Sequence, residues 1–177
     1  MTIHYLQPAA QALLPPEPYR LSLNMKIGTV TLGLVANGFA GSERFLDHLA
    51  GALVEFIPTI NIQRYLKPDP TSKAPEAMRQ AIESACDGVI AAYGHCGSCT
   101  SATIRDTIMF ARSGLPSVAL VTDKFFAEAE FISKASGMPG IPMISLPHPI
   151  AGTGDASMEA LAREVTPVIT KYLASAS

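Results

Sequence analysis

The sequence predicts an α/β fold: a three-layer, doubly wound domain in which a parallel five-stranded sheet carries helices on both faces. Two observations carry this prediction. From about residue 26 onward, apolar β-rich runs alternate with segments of helical periodicity, giving five βα units. The polar, chemically capable residues fall directly after the strand-like runs, so they gather on one edge of the sheet. Right-handed crossovers leave few topologies for such a repeat, and the flavodoxin-like order 2-1-3-4-5 is preferred. In that order the ligand crevice lies at the carboxyl ends of the first and third strands, where the winding direction switches.

The chain has 177 residues, enough for one domain with a substantial core. Residues 1–25 contain Pro8, Pro15, Pro16 and Pro18, which fix φ and remove backbone donors. This stretch is expected to be an extended N-terminal arm on residues 26–177, lying on its own domain or a neighbour. The first strand is read at IGTVTLGLVAN. In residues 42–56, Phe45, Leu46, Leu49, Leu53 and Phe56 recur at helical spacing, opposite Arg44, Asp47, His48 and Glu55. A second strand at NIQRYLKP and a helix at APEAMRQAIESA follow. The remaining strands are read at residues 88–93, 117–122 and 143–147, with helices at about 101–112, 126–135 and 157–173.

Composition narrows the function classes. Hydrophobic residues make up 48% and charged residues 16%, a surplus that suits a subunit interface. A homo-oligomer, or a subunit of a heteromeric complex, is expected. The net charge is −2 and the basic residues are scattered, which argues against nucleic acid or an anionic membrane as partner. No apolar run reaches the ~18–20 residues of a membrane span. Three cysteines are an odd count for a disulfide framework, and a reducing cytoplasmic setting is expected.

The chemistry concentrates in AAYGHCGSCTSATIRD, residues 91–106. A free thiol near neutral pH is mostly protonated, because its pKa is ~8.5. Cys96, placed where the third strand hands over to a helix starting near residues 98–101, would gain from that helix's amides and dipole. His95 could add positive charge or act as a base, and Gly97 permits a tight turn. Cys99, three residues on, can resolve a mixed disulfide or covalent adduct. Ser98, Thr100 and Ser101 are candidates for binding a substrate in the same loop. Cys86 reads as a packing residue. A competing reading makes Cys96, Cys99, His95 and His148 ligands of zinc or another thiophilic metal.

His148 sits between Pro147 and Pro149, which stiffen the backbone and hold the imidazole at the crevice rim. It is a candidate for proton transfer, whereas His48 and His4 read as solvated. Asn37-Gly38 and Gly41-Ser42 form a glycine-containing turn that could bind a carboxylate or phosphate. The plain alternative is a βα turn with Ser42 as helix cap. Neither GxGxxG nor a Walker loop is present, so no nucleotide cofactor is expected, and no other cofactor is predicted. Thr122 and Asp123, followed by Lys124, could position polar substrate groups. Arg105 would bind a substrate anion if it faces inward.

GHCGSCTSATIRDTIMFARSGLPSVALVTDKF, with GMP and PHP after it, resembles the UGSC-motif family, whose first motif position is selenocysteine in many members. The motif is also distantly similar to the selenoprotein subunit of glycine, sarcosine and betaine reductases. The resemblance implies a chalcogen nucleophile at Cys96 with Cys99 as its resolving partner. This chain departs from the pattern by carrying cysteine itself at 96. Together these readings point to a thiol-dependent enzyme, expected to be an oxidoreductase. Its substrate would be a small, anionic electrophile or disulfide, with an external thiol as reductant; non-redox covalent thiol catalysis is the variant. The second class is a non-catalytic metal- or cofactor-binding subunit of a heteromeric enzyme.

Overall fold

The computed structural model describes residues 15–25 and 28–174. Five strands form one parallel sheet: β1 (Val30–Ala36), β2 (Ile60–Leu66), β3 (Gly88–Gly94), β4 (Ser117–Thr122) and β5 (Met143–Leu146). Their order is β2-β1-β3-β4-β5, which is the 2-1-3-4-5 arrangement expected from the βα rhythm. The helices are α1 (Ser42–Phe56), α2 (Glu76–Ala85), α3 (Gly97–Arg112), α4 (Phe126–Ala135) and α5 (Asp155–Ala174).

Two layers of side chains hold the sheet. On one face α1 and α5 bury Phe45, Leu49, Leu53, Ala162, Ile169 and Leu173 against β1, β3 and β4. On the other, α3 and α4 contribute Ile104, Ile108, Ala129 and Ile132, while Ile82 of α2 joins Phe110 and Val89. Full burial of each large aliphatic side chain stabilises the fold by roughly 1.5–3 kcal/mol before cavity effects. The periodic face read in α1 is buried except at its end. Phe56, the helix's last residue, stays 54% exposed.

Residues 15–25 have neither helix nor strand and lie on their own domain. Tyr19 is buried and its hydroxyl accepts the Ser117 amide at 3.0 Å, while the Glu17 amide donates to Gly137 O and the Leu23 amide to Leu173 O, both at 2.7 Å. The arm thus straps the amino-terminal edge of the sheet, away from the residues that follow the strands. Residues 1–14, expected as the rest of the arm, lie outside the described residues.

One helix start and one strand register shape the site. Helix α3 begins at Gly97, just ahead of the expected start near residues 98–101, because Cys96 caps it: the Cys96 sulfur accepts the Cys99 amide at 3.4 Å. Strand β3 also shifts register against β4 between Ala92 and Gly94, re-aiming the strand end that leads into the motif.

Candidate active site

Strand β3 ends at Gly94, and the next two residues, His95 and Cys96, form the step into α3. Gly94 is needed there because a Cβ would lie 2.7 Å from Thr100 Oγ1 and 2.9 Å from Val121 Cγ1. The helix can therefore begin tight against the strand end. The Cys96 and Cys99 sulfurs stand at disulfide distance, with their Cα atoms 5.3 Å apart. The pair is asymmetric. Cys99 is 1% exposed, whereas Cys96, half-buried, has its sulfur 3.6 Å from Ser98 Oγ at the surface.

The two histidines make opposite kinds of hydrogen bond. Thr122 donates its hydroxyl proton to Gly94 O at 2.9 Å, so its oxygen faces His148 Nδ1, 3.2 Å away, as an acceptor. His148 must then carry its proton on Nδ1, which leaves the Nε2 lone pair free. His95 is the reverse: its Nε2 accepts the Ile150 amide at 3.1 Å and the Ala151 amide at 3.4 Å. That lone pair is occupied. Burial, and secondarily the neighbouring His148, hold His95 below the usual histidine pKa, as an accepting nitrogen requires. The two rings lie 4.4 Å apart, and His95 stacks on Phe39 at 4.9 Å.

The turn after β1 supports this cluster from below. Asn37 is buried, its amide donating to Tyr93 O at 2.8 Å and Thr103 Oγ1 at 3.3 Å, while its carbonyl accepts the Phe39 amide at 3.0 Å. It ties the β1 turn to β3 and α3, and its polar atoms face inward partners. Gly38, at φ 88°, packs so closely on the β2 end that a Cβ would stand 2.6 Å from Lys67 O. Tyr93 donates to Ala40 O at 2.6 Å, and burial pushes its phenol up to about 12. Gly41, not Ser42, is the N-cap of α1, and the Ser42 hydroxyl is buried without a hydrogen-bond partner.

The remaining expected residues spread out. Thr100 is buried with an unpartnered hydroxyl, and Ser101 is half-buried beside it in α3. Asp123 and Lys124 are exposed in a 3-10 turn and form no pair with each other. Arg105 points outward, lining a groove of about 490 Å³ with Lys73 and Arg112, separate from the motif. Cys86 is buried, its sulfur 3.7 Å from Tyr65 Oη, and burial pushes its thiol up. His48 is half-buried and reaches Asp155 at 3.2 Å, rather than standing in solvent. Among the described residues, no group of three or more His, Cys, Asp and Glu side chains is placed to hold a metal ion.

Two features had no signal in the sequence. Glu128, in the first turn of α4, lays its carboxylate over Gly97: a Cβ there would meet both oxygens at 3.3 Å. An acidic residue in a helix's first turn is ordinary, so nothing marked it. Lys67 and Asp106 form an ion pair at 2.5 Å with side chains 0% and 2% exposed. They lie 39 residues apart in the chain and only the fold brings them together.

Comparison with known proteins gives the following. The model of the UGSC family matches residues 11–175. No curated protein matches the chain. Among solved structures, a flavodoxin-like domain from Synechococcus sp. is 12% identical over 80% of this chain and 99% of its own, with a TM-score of 0.39. A diflavin flavoprotein A3 from Nostoc sp. is 12% identical over 83% of this chain and 97% of its own, at 0.40. The apo form of translation elongation factor SelB from Methanococcus maripaludis is 14% identical over 87% of this chain and 35% of its own, at 0.46. These scores are low, and the topology rests on the strand pairing itself.

Proposed function

Since this chain belongs to the UGSC family, we propose that its motif is a working thiol pair and that the protein is a thiol-dependent oxidoreductase cleaving small disulfides. One observation carries the reading: an accessible sulfur capping α3 stands at disulfide distance from a buried one. That asymmetry suits an attacker and a resolver.

In the reduced protein, Cys96 loses its proton and the α3 amides favour the resulting thiolate. His148 Nε2 is the imidazole nitrogen available to take that proton, since His95 Nε2 already accepts two amides. The thiolate attacks one sulfur of the substrate disulfide; a Cys96 mixed disulfide forms and the first substrate thiolate leaves. His148 returns the proton to it. Cys99, deprotonated in turn, attacks Cys96 Sγ, releasing the second thiol and leaving the Cys96–Cys99 disulfide. Two electrons have passed from the protein to the substrate, and an external thiol reductant restores the pair.

The test begins with reduced protein and bis(2-hydroxyethyl) disulfide as a neutral substrate. Cys96→Ser is expected to lower turnover by on the order of 10³-fold or more, while Cys99→Ser traps a mixed disulfide on Cys96 that mass mapping locates. If Cys96 alkylates no faster at neutral pH than a cysteine in the unfolded chain, this function is wrong.

A further inference from the structure

We infer that Glu128 selects the charge of the substrate, admitting cationic or neutral disulfides and excluding anionic ones. The inference rests on the thiol chemistry proposed above and reverses the expectation of an anionic substrate. Both Glu128 oxygens would stand 3.3 Å from a Cβ on Gly97, the residue immediately after the capping cysteine and two before its partner. The carboxylate therefore lies over the middle of the motif, against the residue next to Cys96. Gly97 makes this approach possible, since any side chain there would contact the carboxylate.

Glu128 has no hydrogen-bond or ion-pair partner among the described residues, although it is half-buried. A partly desolvated carboxylate without a donor presents its charge to whatever enters. The groups expected to receive an anion are elsewhere: the Arg105 cation lines the separate groove on the outer face of α3, and the neutral Asn37 amide is occupied internally. The rings around the histidines are apolar or neutral, with Phe125 5.8 Å from the His148 ring and Phe39 stacked on His95, while the nearby Asp123 and Lys124 are exposed and offset one another in charge. An ammonium group two or three bonds from the substrate sulfur would find Glu128 as its counter-charge. A carboxylate in the same position would be repelled. The covalent steps are those already described, with each substrate sulfur leaving as a thiol.

The experiment compares three small disulfides on reduced protein: cystamine, bis(2-hydroxyethyl) disulfide and dithiodiglycolate. Each rate is divided by that of a free dithiol with the same compound. The wild type is expected to favour cystamine over dithiodiglycolate by roughly tenfold, the combined size of one attraction and one repulsion across a solvated gap. Glu128→Gln should bring the ratio to about one, and Glu128→Lys should invert it. Alkylation of Cys96 with iodoacetate against iodoacetamide gives a second reading that needs no turnover; Glu128→Gln should raise the relative rate of iodoacetate. A wild-type ratio near one overturns the inference, as does an equal fall for all three disulfides in Glu128→Gln, which would mark a structural or proton-transfer role. Turnover of the neutral disulfide without charge preference sinks only this inference; an inert Cys96 sinks the thiol function itself.

Discussion

Thr122 has one hydroxyl, and where its proton points decides which histidine can act as a base. Because it donates to Gly94 O, it accepts from His148 Nδ1 and holds the Nε2 lone pair open. Replacing Thr122 by Val should cost about 1 kcal/mol of stability for the lost bonds. More tellingly, it should let His148 shift its proton toward Nε2, which long-range nitrogen–proton NMR of the imidazole reads directly; an unchanged tautomer would refute the assignment. The sequence placed Thr122 near the crevice, as a residue following a strand, but a hydroxyl's partners are set by three strand ends meeting, and no spacing encodes that. Likewise His95 was readable as a neighbour of the thiols. That it accepts the Ile150 and Ala151 amides depends on a turn 55 residues away.

The loop between β2 and α2 is held by an element-to-element clamp in addition to its own turn around Asp69. Lys67, just past β2, gives one proton to Ser72 O and another to Asp106 Oδ2, both at 2.5 Å, while Asp106 Oδ1 accepts the Ala74 amide at 2.9 Å. Burial pushes the Asp106 carboxyl up, against the pull of Lys67 and the Ala74 amide. Removing one partner leaves the other charge buried alone, so Asp106→Asn should destabilise the fold by about 3–5 kcal/mol in urea titration. The paired change Lys67→Met with Asp106→Leu should recover a large part of that loss. Gly38→Ala tests the neighbouring contact: with φ at 88° and a Cβ 2.6 Å from Lys67 O, it should lower stability by roughly 1–3 kcal/mol. At this scale the sequence was most legible, because a period of 3.6 or a short apolar run marks an element wherever it lies. The cap of α3 was not, since a cysteine is an unusual cap and only its sulfur's bond to the Cys99 amide reveals it.

The winding of the whole sheet brings the ends of β3, β4 and β5 together, so one motif and two distant residues become a single site. His95 at its centre also links the site to global stability. Its folded pKa lies below the ordinary value near 6.5, so in that window the unfolded chain binds the extra proton. Stability from the neutral ring is therefore full above about pH 6.5 and declines as pH falls from there toward the folded pKa. Between pH 7.5 and 5.5 the urea midpoint should drop further in the wild type than in His95→Asn; an equal or smaller drop would contradict this. Order and winding followed from the sequence by the handedness of crossovers, whereas charge at the site did not, because Glu128 arrives from α4 across a helix–helix contact. The strap at the opposite edge bears on how the chain is made. Tyr19 waits for Ser117, 98 residues later, and Leu23 waits for Leu173. During synthesis the strap is thus fastened in stages, Tyr19 once β4 has emerged and Leu23 only with the last turn of α5, so a nascent chain halted before α5 would carry all five strands with Leu23 still unfastened.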